Sequence, residues 1–314
     1  MKKIIIIGTF PNTKQKEDLL LDCVERLSNL GYDLMITSHF PIAKHIQEKV
    51  NYVVYDGENI LEPFHLTPNF FLTYKNFRVD IKQNGHVIAV CRNINNGLSL
   101  AKQLNYNFFF YLEFDNLIDR NDTHLLNNLH YEMIVNSKKM IFFNHINEQS
   151  EIYESLIFAG TPEYFLEKIQ LPNNLEDFEN FGMSWTLEKT FFKKLSIHQS
   201  DFLIIKNSSK DFFKNSEINK IANFTFVDII SDKENGSYFL WLYNHSCNDK
   251  SVKFIVDEGN PFELGSGGWM MIPINMNQKI NVMIEENGFR NLKEFHLTEE
   301  SKDYFINKGT ITKI

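Results

Sequence analysis

The chain has 314 residues, 43% of them hydrophobic and 23% charged, ordinary proportions for a folded protein with room for one large domain or two of common size. Its formal net charge of −8 argues against the broad basic footprint of nucleic-acid binding, so no nucleic-acid partner is expected, though a few residues can still hold a small anionic ligand. The cysteines Cys23, Cys91 and Cys247 are far apart and lack metal-ligand spacing, which fits free thiols in a reducing compartment better than a disulfide framework.

Met1-Lys2-Lys3 leads into a short apolar run that stops at Gly8-Thr9, too short for a signal peptide. No run approaches a membrane span, and the expected location is cytoplasmic. Ile4 to Ile7, all β-branched, predict a strand buried on both faces. A helix follows, with Leu20, Val24 and Leu27 on one stripe and Gly31 as its stop. Asp33 to Thr37 and Tyr52 to Tyr55 read as the next strands, and this β-α-β opening implies a parallel sheet with a right-handed crossover.

The loop Gly8-Thr9-Phe10-Pro11-Asn12 follows the first strand, at the edge where open α/β sheets carry ligand-facing loops. Only Gly8 of a Gly-x-Gly-x-x-Gly pattern is present, which disfavours a nicotinamide or flavin site. Thr9 or Phe10 either touches a nucleoside or belongs to an ordinary loop. Asp56, ending the third strand, either accepts a hydrogen bond from a base or forms a turn with Gly57. His39 and His86 read first as surface loop histidines and second as contacts to a phosphate or sugar hydroxyl. Arg78 and Lys82 serve equally as positive charge near a diphosphate or as a solvated face.

His86 to Leu104 has apolar residues at Val87, Val90, Ile94, Leu98 and Ala101, which is helical spacing. It leads into Asn107 to Asp115, a buried aromatic strand ending in Glu113-Phe114-Asp115. If the strand stays extended, Glu113 and Asp115 face one way and Phe114 the other. Paired carboxylates at the carboxyl end of a core strand can hold a divalent metal and, through it, a diphosphate. The alternative is a polar strand end that caps the next turn.

Thr123 to Val135 and Thr186 to Leu195 predict helices, and Met140 to Phe143 and Leu156 to Ala159 predict strands. Lys206 to Ile221 is polar and reads as a linker. Beyond it, Phe224 to Ile230, Tyr238 to Tyr243, Val252 to Val256, Trp269 to Ile274 and Ile280 to Ile284 are short strand-like runs separated by turns. They predict an antiparallel β-sandwich over 222–314, after a first domain over 1–215. Trp241 is expected in the sandwich core, while Trp269, after Gly265-Ser266-Gly267-Gly268, fits core or loop.

From Met1 to Ser200 the chain resembles the GT-A-type glycosyltransferases in strand order, in the long helix before the central strand and in the acidic motif. Thr37-Ser38-His39-Phe40-Pro41, Tyr55-Asp56-Gly57-Glu58-Asn59 and Tyr111-Leu112-Glu113-Phe114-Asp115-Asn116 are similar to segments of bacterial and phage glycosyltransferase-like proteins. The family motif is Asp-x-Asp, so the Glu at 113 makes Asp115 the stronger expected contact. The resemblance implies an α/β, GT-A-like (Rossmann-like) nucleotide-sugar-binding domain followed by the sandwich. It implies a glycosyltransferase with a nucleotide-sugar donor, UDP-sugar favoured, a glycan acceptor and Mg²⁺ or Mn²⁺.

In that reading Asp115 and Glu113 hold the metal, with His198 completing its shell, and Thr9, Phe10, Asp56 and His86 surround the donor. The general base comes from the acidic segment Asn174 to Ser184, Asp177 first and then Glu179 and Glu176. Acidic residues there also favour the dipole of the following helix without catalysis. The sandwich serves self-association, giving a homo-oligomer, or acceptor docking. The rivals are a sugar nucleotidyltransferase, for which Gly8 to Lys14 is a poor phosphate loop, and a glycan- or protein-binding protein with a degenerate transferase domain.

Overall fold

In the computed structural model the opening isoleucines form β1 (Lys3–Thr9), a central strand of the first of two units. The structure describes residues 2–12, 14–58, 70–74, 77–81, 86–147, 150–169, 171–174, 176–177, 180, 187–218, 224–232, 235–245, 251–286, 289–301 and 309–313. Ile4, Ile5, Ile6 and Ile7 are all 0% exposed, as a strand covered on both faces requires. Each contributes about 1.5–3 kcal/mol of hydrophobic stabilisation.

The first unit, Met1–Leu61 with His86–Lys220, is built on a seven-stranded mixed sheet. β2 (Asp33–Ser38) and β3 (Tyr52–Tyr55) lie parallel to β1 on one side. β6 (Phe108–Glu113) lies parallel to it on the other. Beyond β6 come β8 (Ser150–Gly160), antiparallel, then β7 (Met140–Asn147) and β9 (Phe202–Ile205). The helices are α1 (Lys14–Leu27), α2 (Lys44–Gln47), α3 (His86–Gln103), α4 (Thr123–Val135), α5 (Pro162–Lys168), α6 (Leu187–Leu195) and α7 (Ser209–Phe212).

α3 packs Cys91, Ile94, Leu98 and Ala101 onto Ile4, Ile6, Phe109 and Tyr111, the residues of one face of β1 and β6. Many phenylalanines belong to this core: Phe158 stacks on Phe165 at 5.3 Å and meets Phe109 edge-on at 5.8 Å. Such pairs contribute about 0.5–1.5 kcal/mol beyond the area they bury. No helix among the described residues is long and apolar enough to cross a membrane.

The stretch expected as a linker, Lys206 to Ile221, is in its first part structured. Phe212 and Phe213 pack on Phe143 at 5.4 and 5.7 Å, and Leu117 and Glu217 exchange backbone hydrogen bonds of 3.0 and 3.1 Å. The carboxylate of Asp122 accepts from Asn215 N, Asn215 Nδ2 and Ser216 Oγ, each at 2.8 Å. Buried aromatics and a satisfied carboxylate overrode the polar composition.

Burial alone would raise the Asp122 pKa, but these hydrogen bonds, with His124, hold it below its ordinary value. Its stabilisation is therefore complete above the unfolded carboxylate pKa and is lost as pH falls through the lower folded one. Asp122→Ala should cost about 2–3 kcal/mol near neutral pH. The difference from wild type in urea midpoint should shrink by about pH 3; an unchanged difference would reject the assignment.

The second unit, Glu62–Gly85 with Ile221–Ile314, contains two sheets. One orders β14 (Trp269–Ile274), β11 (Tyr238–His245), β10 (Phe224–Asp232), β17 (Gly309–Lys313), β5 (Phe77–Ile81) and β4 (Phe70–Tyr74). The other orders β13 (Phe262–Leu264), β12 (Val252–Val256), β15 (Lys279–Glu286) and β16 (Phe289–His296). Val227, Ile229, Leu240 and Leu242 of the first pack with Phe254, Val282 and Ile284 of the second, the expected sandwich.

One feature differs from expectation. The span 1–215 is interrupted, because the β4–β5 hairpin lies with the second unit: β5 pairs with β17, which runs parallel to β10. Trp241 is buried, as expected of a core residue, and stacks on Tyr243 at 5.4 Å. Trp269 is half-buried and pairs across strands with Tyr243.

Candidate functional site

From β1 the sheet extends outward through β2 and β3, then reverses to place β6 on the other side of β1. Open α/β sheets bind ligands outside the carboxyl ends of their strands at such a reversal. Here those ends are Gly8-Thr9 and Glu113, with Gly8 opposite Glu113 in register. The amino end of α3 lies at the same edge: Asn93 Nδ2 donates to Thr9 O at 3.4 Å, whereas Leu104 O, past the other end, accepts from Lys2 Nζ at 3.4 Å. Gly8 is required by close approach, since a Cβ there would fall 2.2 Å from the Tyr111 hydroxyl.

The acidic motif is a turn rather than an extended strand end. β6 stops at Glu113, and Glu113 O accepts from Asn116 N at 3.0 Å and Asn116 Nδ2 at 3.1 Å. The expected alternation of Glu113 and Asp115 therefore does not apply past the strand. The turn still keeps both carboxylates at one corner. The Tyr111 hydroxyl is raised well above its usual range by burial first, then by Glu113, Cys91 and Asp115. Burial, followed by Asp115, also pushes up the thiol of Cys23 on α1. Asp115 is 7% exposed.

Two carboxylates suit a hard divalent cation that takes its other ligands from phosphate and water. They do not make a protein-only cage: among the described residues no group of three or more His, Cys, Asp or Glu is arranged to hold a metal. His198 does not join them. It lies in the turn before β9, whose first residue Phe202 pairs with Met140, the first residue of β7, and nearby Lys139 N donates to Asp201 O at 2.7 Å. That is the amino edge of the parallel strands, roughly 20 Å of strand away from Asp115. Sequence alone places a histidine in order, not at an edge.

Around the end of β1, Thr9 is buried and its hydroxyl has no hydrogen-bond partner among the described residues. The Phe10 ring lies nearly parallel to His39 at 6.2 Å and edge-on to Phe114 at 5.5 Å, with Lys16 Nζ 3.9 Å from its centroid. Asn93 Nδ2 is 3.5 Å from His39 Nδ1. His86 opens α3, and its side chain lies outside the described residues. Arg78 is on β5 of the second unit, and Lys82 lies outside the described residues.

Asp56 is held firmly. Arg92 donates to both its oxygens, Nε to Oδ2 at 3.0 Å and Nη2 to Oδ1 at 2.9 Å, and Asn96 Nδ2 donates to Oδ2 at 2.8 Å. Arg92 Nη1 also donates to Asn173 O at 3.4 Å, and Asn95 Nδ2 donates to Leu171 O at 2.9 Å. The acidic segment is thereby tied to α3 beside Asp56. Asp177 Oδ2 accepts from Asn173 N at 3.3 Å; Glu176 and Asp177 are exposed, and Glu179 lies outside the described residues. Arg92, Asn93 and Asn96 escaped the sequence reading. Their signal was a polar Arg-Asn-x-x-Asn face near the start of the helix that feeds the acidic strand.

No family model and no curated protein matches the chain. Solved structures similar to it include a cytidylyltransferase from Leptospira borgpetersenii serovar Hardjo-bovis, with a TM-score of 0.39 and 13% identity over 68% of this chain and 79% of that one. A glycosyltransferase involved in glycosylating the major capsid of PBCV-1 has a TM-score of 0.39 and 12% identity, covering 65% of this chain and 81% of that one. A CMP:2-keto-3-deoxy-manno-octonic acid synthetase solved with CTP has a TM-score of 0.35 and 6% identity, covering 65% and 89%.

Proposed function

We propose that the chain transfers a sugar from a nucleotide-sugar, UDP-sugar favoured, to a hydroxyl of a glycan acceptor in the cytoplasm. The observation that carries this reading is the Glu113–Asp115 turn at the reversal point of the sheet, beside the end of β1. Asp115 with Glu113 would hold Mg²⁺ or Mn²⁺, which when bound supplies Lewis-acid stabilisation of the leaving diphosphate. Asp56, fixed by Arg92 and Asn96, orients the nucleobase by accepting an N–H at Oδ1. Thr9 and Phe10 border the nucleoside, as His86 would from the start of α3.

An acid of the 176–179 segment, Asp177 first, takes the proton of the acceptor hydroxyl. The acceptor oxygen bonds to the anomeric carbon, and the carbon–oxygen bond to phosphate breaks, its electron pair leaving with the nucleoside diphosphate. Lys16, whose ammonium sits by the first loop, is the one observation favouring nucleotidyl transfer instead. For the second unit the proposed roles are self-association into a homo-oligomer or acceptor docking.

A thermal-shift screen of nucleoside diphosphates with Mn²⁺ or chelator tests the reading. A hundredfold excess over Kd stabilises by about 2.7 kcal/mol. A metal-dependent shift with one base is expected, UDP first, and no shift with any of them would sink the donor site. Pyrophosphate release from a nucleoside triphosphate and a sugar phosphate would transfer the assignment to the nucleotidyltransferase reading.

A further inference from the structure

The four-stranded sheet of the second unit ends on β16, which pairs only with β15 among the described residues. An edge strand turns every second N–H and C=O outward, where another chain can pair with them. Shortness and proline ordinarily guard such edges. The other edges here are guarded in that way: β3 and β9 have four residues each, β13 three and β4 five, and β14 carries Pro273. β16 has eight residues and no proline.

Alternation sorts its side chains between the two faces. Ile280, Val282 and Ile284 of β15 belong to the sandwich core, so their cross-strand neighbours Phe295, Lys293 and Asn291 share that face. Arg290, Leu292 and Glu294 lie on the outer face and are exposed, Leu292 by 57%. The nearby ion pairs, Lys253–Glu285 at 2.8 Å and Arg290–Glu285 at 2.7 Å, leave Glu294 out.

Two copies joined by this edge keep the same face outward only if a twofold axis normal to the sheet passes through one residue of β16. Through Leu292, that axis sets Arg290 opposite Glu294 of the second copy, twice by symmetry, with Leu292 against its own copy between them. Through Arg290, Lys293 or Glu294 it would oppose like charges, and through Asn291 it would set Arg290 on Leu292. Opposite charges favour a cross-strand pair and like charges disfavour it, so the strand's own charges select one register.

We propose that two copies of the chain pair β16 to β16, antiparallel about Leu292, and so join their four-stranded sheets. The contact is isologous and closes at a dimer. The far edge, the three-residue β13, is too short to carry the sheet onward. This gives a surface and a register to the self-association proposed for the second unit, and nothing in it depends on the donor site.

Sedimentation equilibrium of the full chain tests the pairing, with melts and the UDP thermal shift recorded on the same samples. Wild type should approach twice the 37.0 kDa of one chain as concentration rises. Glu294→Arg, at an exposed position, should raise the dimer dissociation constant by about tenfold or more, because symmetry counts each pair twice. The charge-swapped double variant Arg290→Glu/Glu294→Arg should restore the dimer. Should either variant fail to fold, Leu292→Cys in a Cys247→Ser background should oxidise to a covalent dimer, while the exposed Glu300→Cys in the same background should not. A monomeric wild type, a dimer unmoved by Glu294→Arg, or no crosslink through Leu292→Cys overturns the proposal. An absent UDP shift beside an intact dimer would sink the donor reading and leave the pairing standing.

Discussion

Asp115→Asn is expected to lower donor turnover by about a hundred- to a thousandfold while the fold persists. The substitution keeps volume and hydrogen-bonding shape in a site that is 7% exposed, and it removes the negative charge on which a metal–diphosphate would depend. Glu113→Gln, the position where the motif departs from Asp-x-Asp, should cost only about tenfold. Release of UDP from a UDP-sugar with Mn²⁺, beside a thermal melt, measures both. A rate for Asp115→Asn equal to wild type would remove this corner from the chemistry.

The second large effect belongs to Arg92. Removing it strips Asp56 of a forked ion pair and Asn173 O of a donor. With side chains 25% and 14% exposed, the Arg92–Asp56 pair lies between a surface bridge of at most about 1 kcal/mol and a buried one whose breakage costs about 3–5. Arg92→Ala should therefore destabilise by about 2–3 kcal/mol. Arg92→Lys should recover only part of this, because an ammonium cannot fork to both oxygens. Urea midpoints decide the matter: a loss below about 0.5 kcal/mol would show the pair to be an ordinary surface contact.

The elements that local patterning could reveal are those whose burial is continuous. Ile4 to Ile7 and the aromatic run before Glu113 form β1 and β6, and the apolar spacing of Ile94, Leu98 and Ala101 forms α3. What escaped depends on partners distant in sequence. β4 and β5 complete a sheet only through β17, and the segment after β9 is ordered by Asp122 and Phe143. In the site, the acidic motif was legible, but its turn was not, because Asn116 rather than alternation sets the geometry. Arg92 and Asn96 escaped because the carboxylate they hold, Asp56, lies 36 and 40 residues away in sequence.

The pairing of β5 with β17 also has a consequence for synthesis on the ribosome. Asp80 is matched to Thr310, so the hairpin emerges long before the strand that covers its free edge. At about 5–20 residues per second that edge stays open on the order of ten seconds or more. An uncovered strand edge is a template for pairing with another nascent chain. Slow translation of the last third, or a truncation that removes Gly309–Lys313, should therefore drive the protein into aggregates while the first unit is still folding correctly.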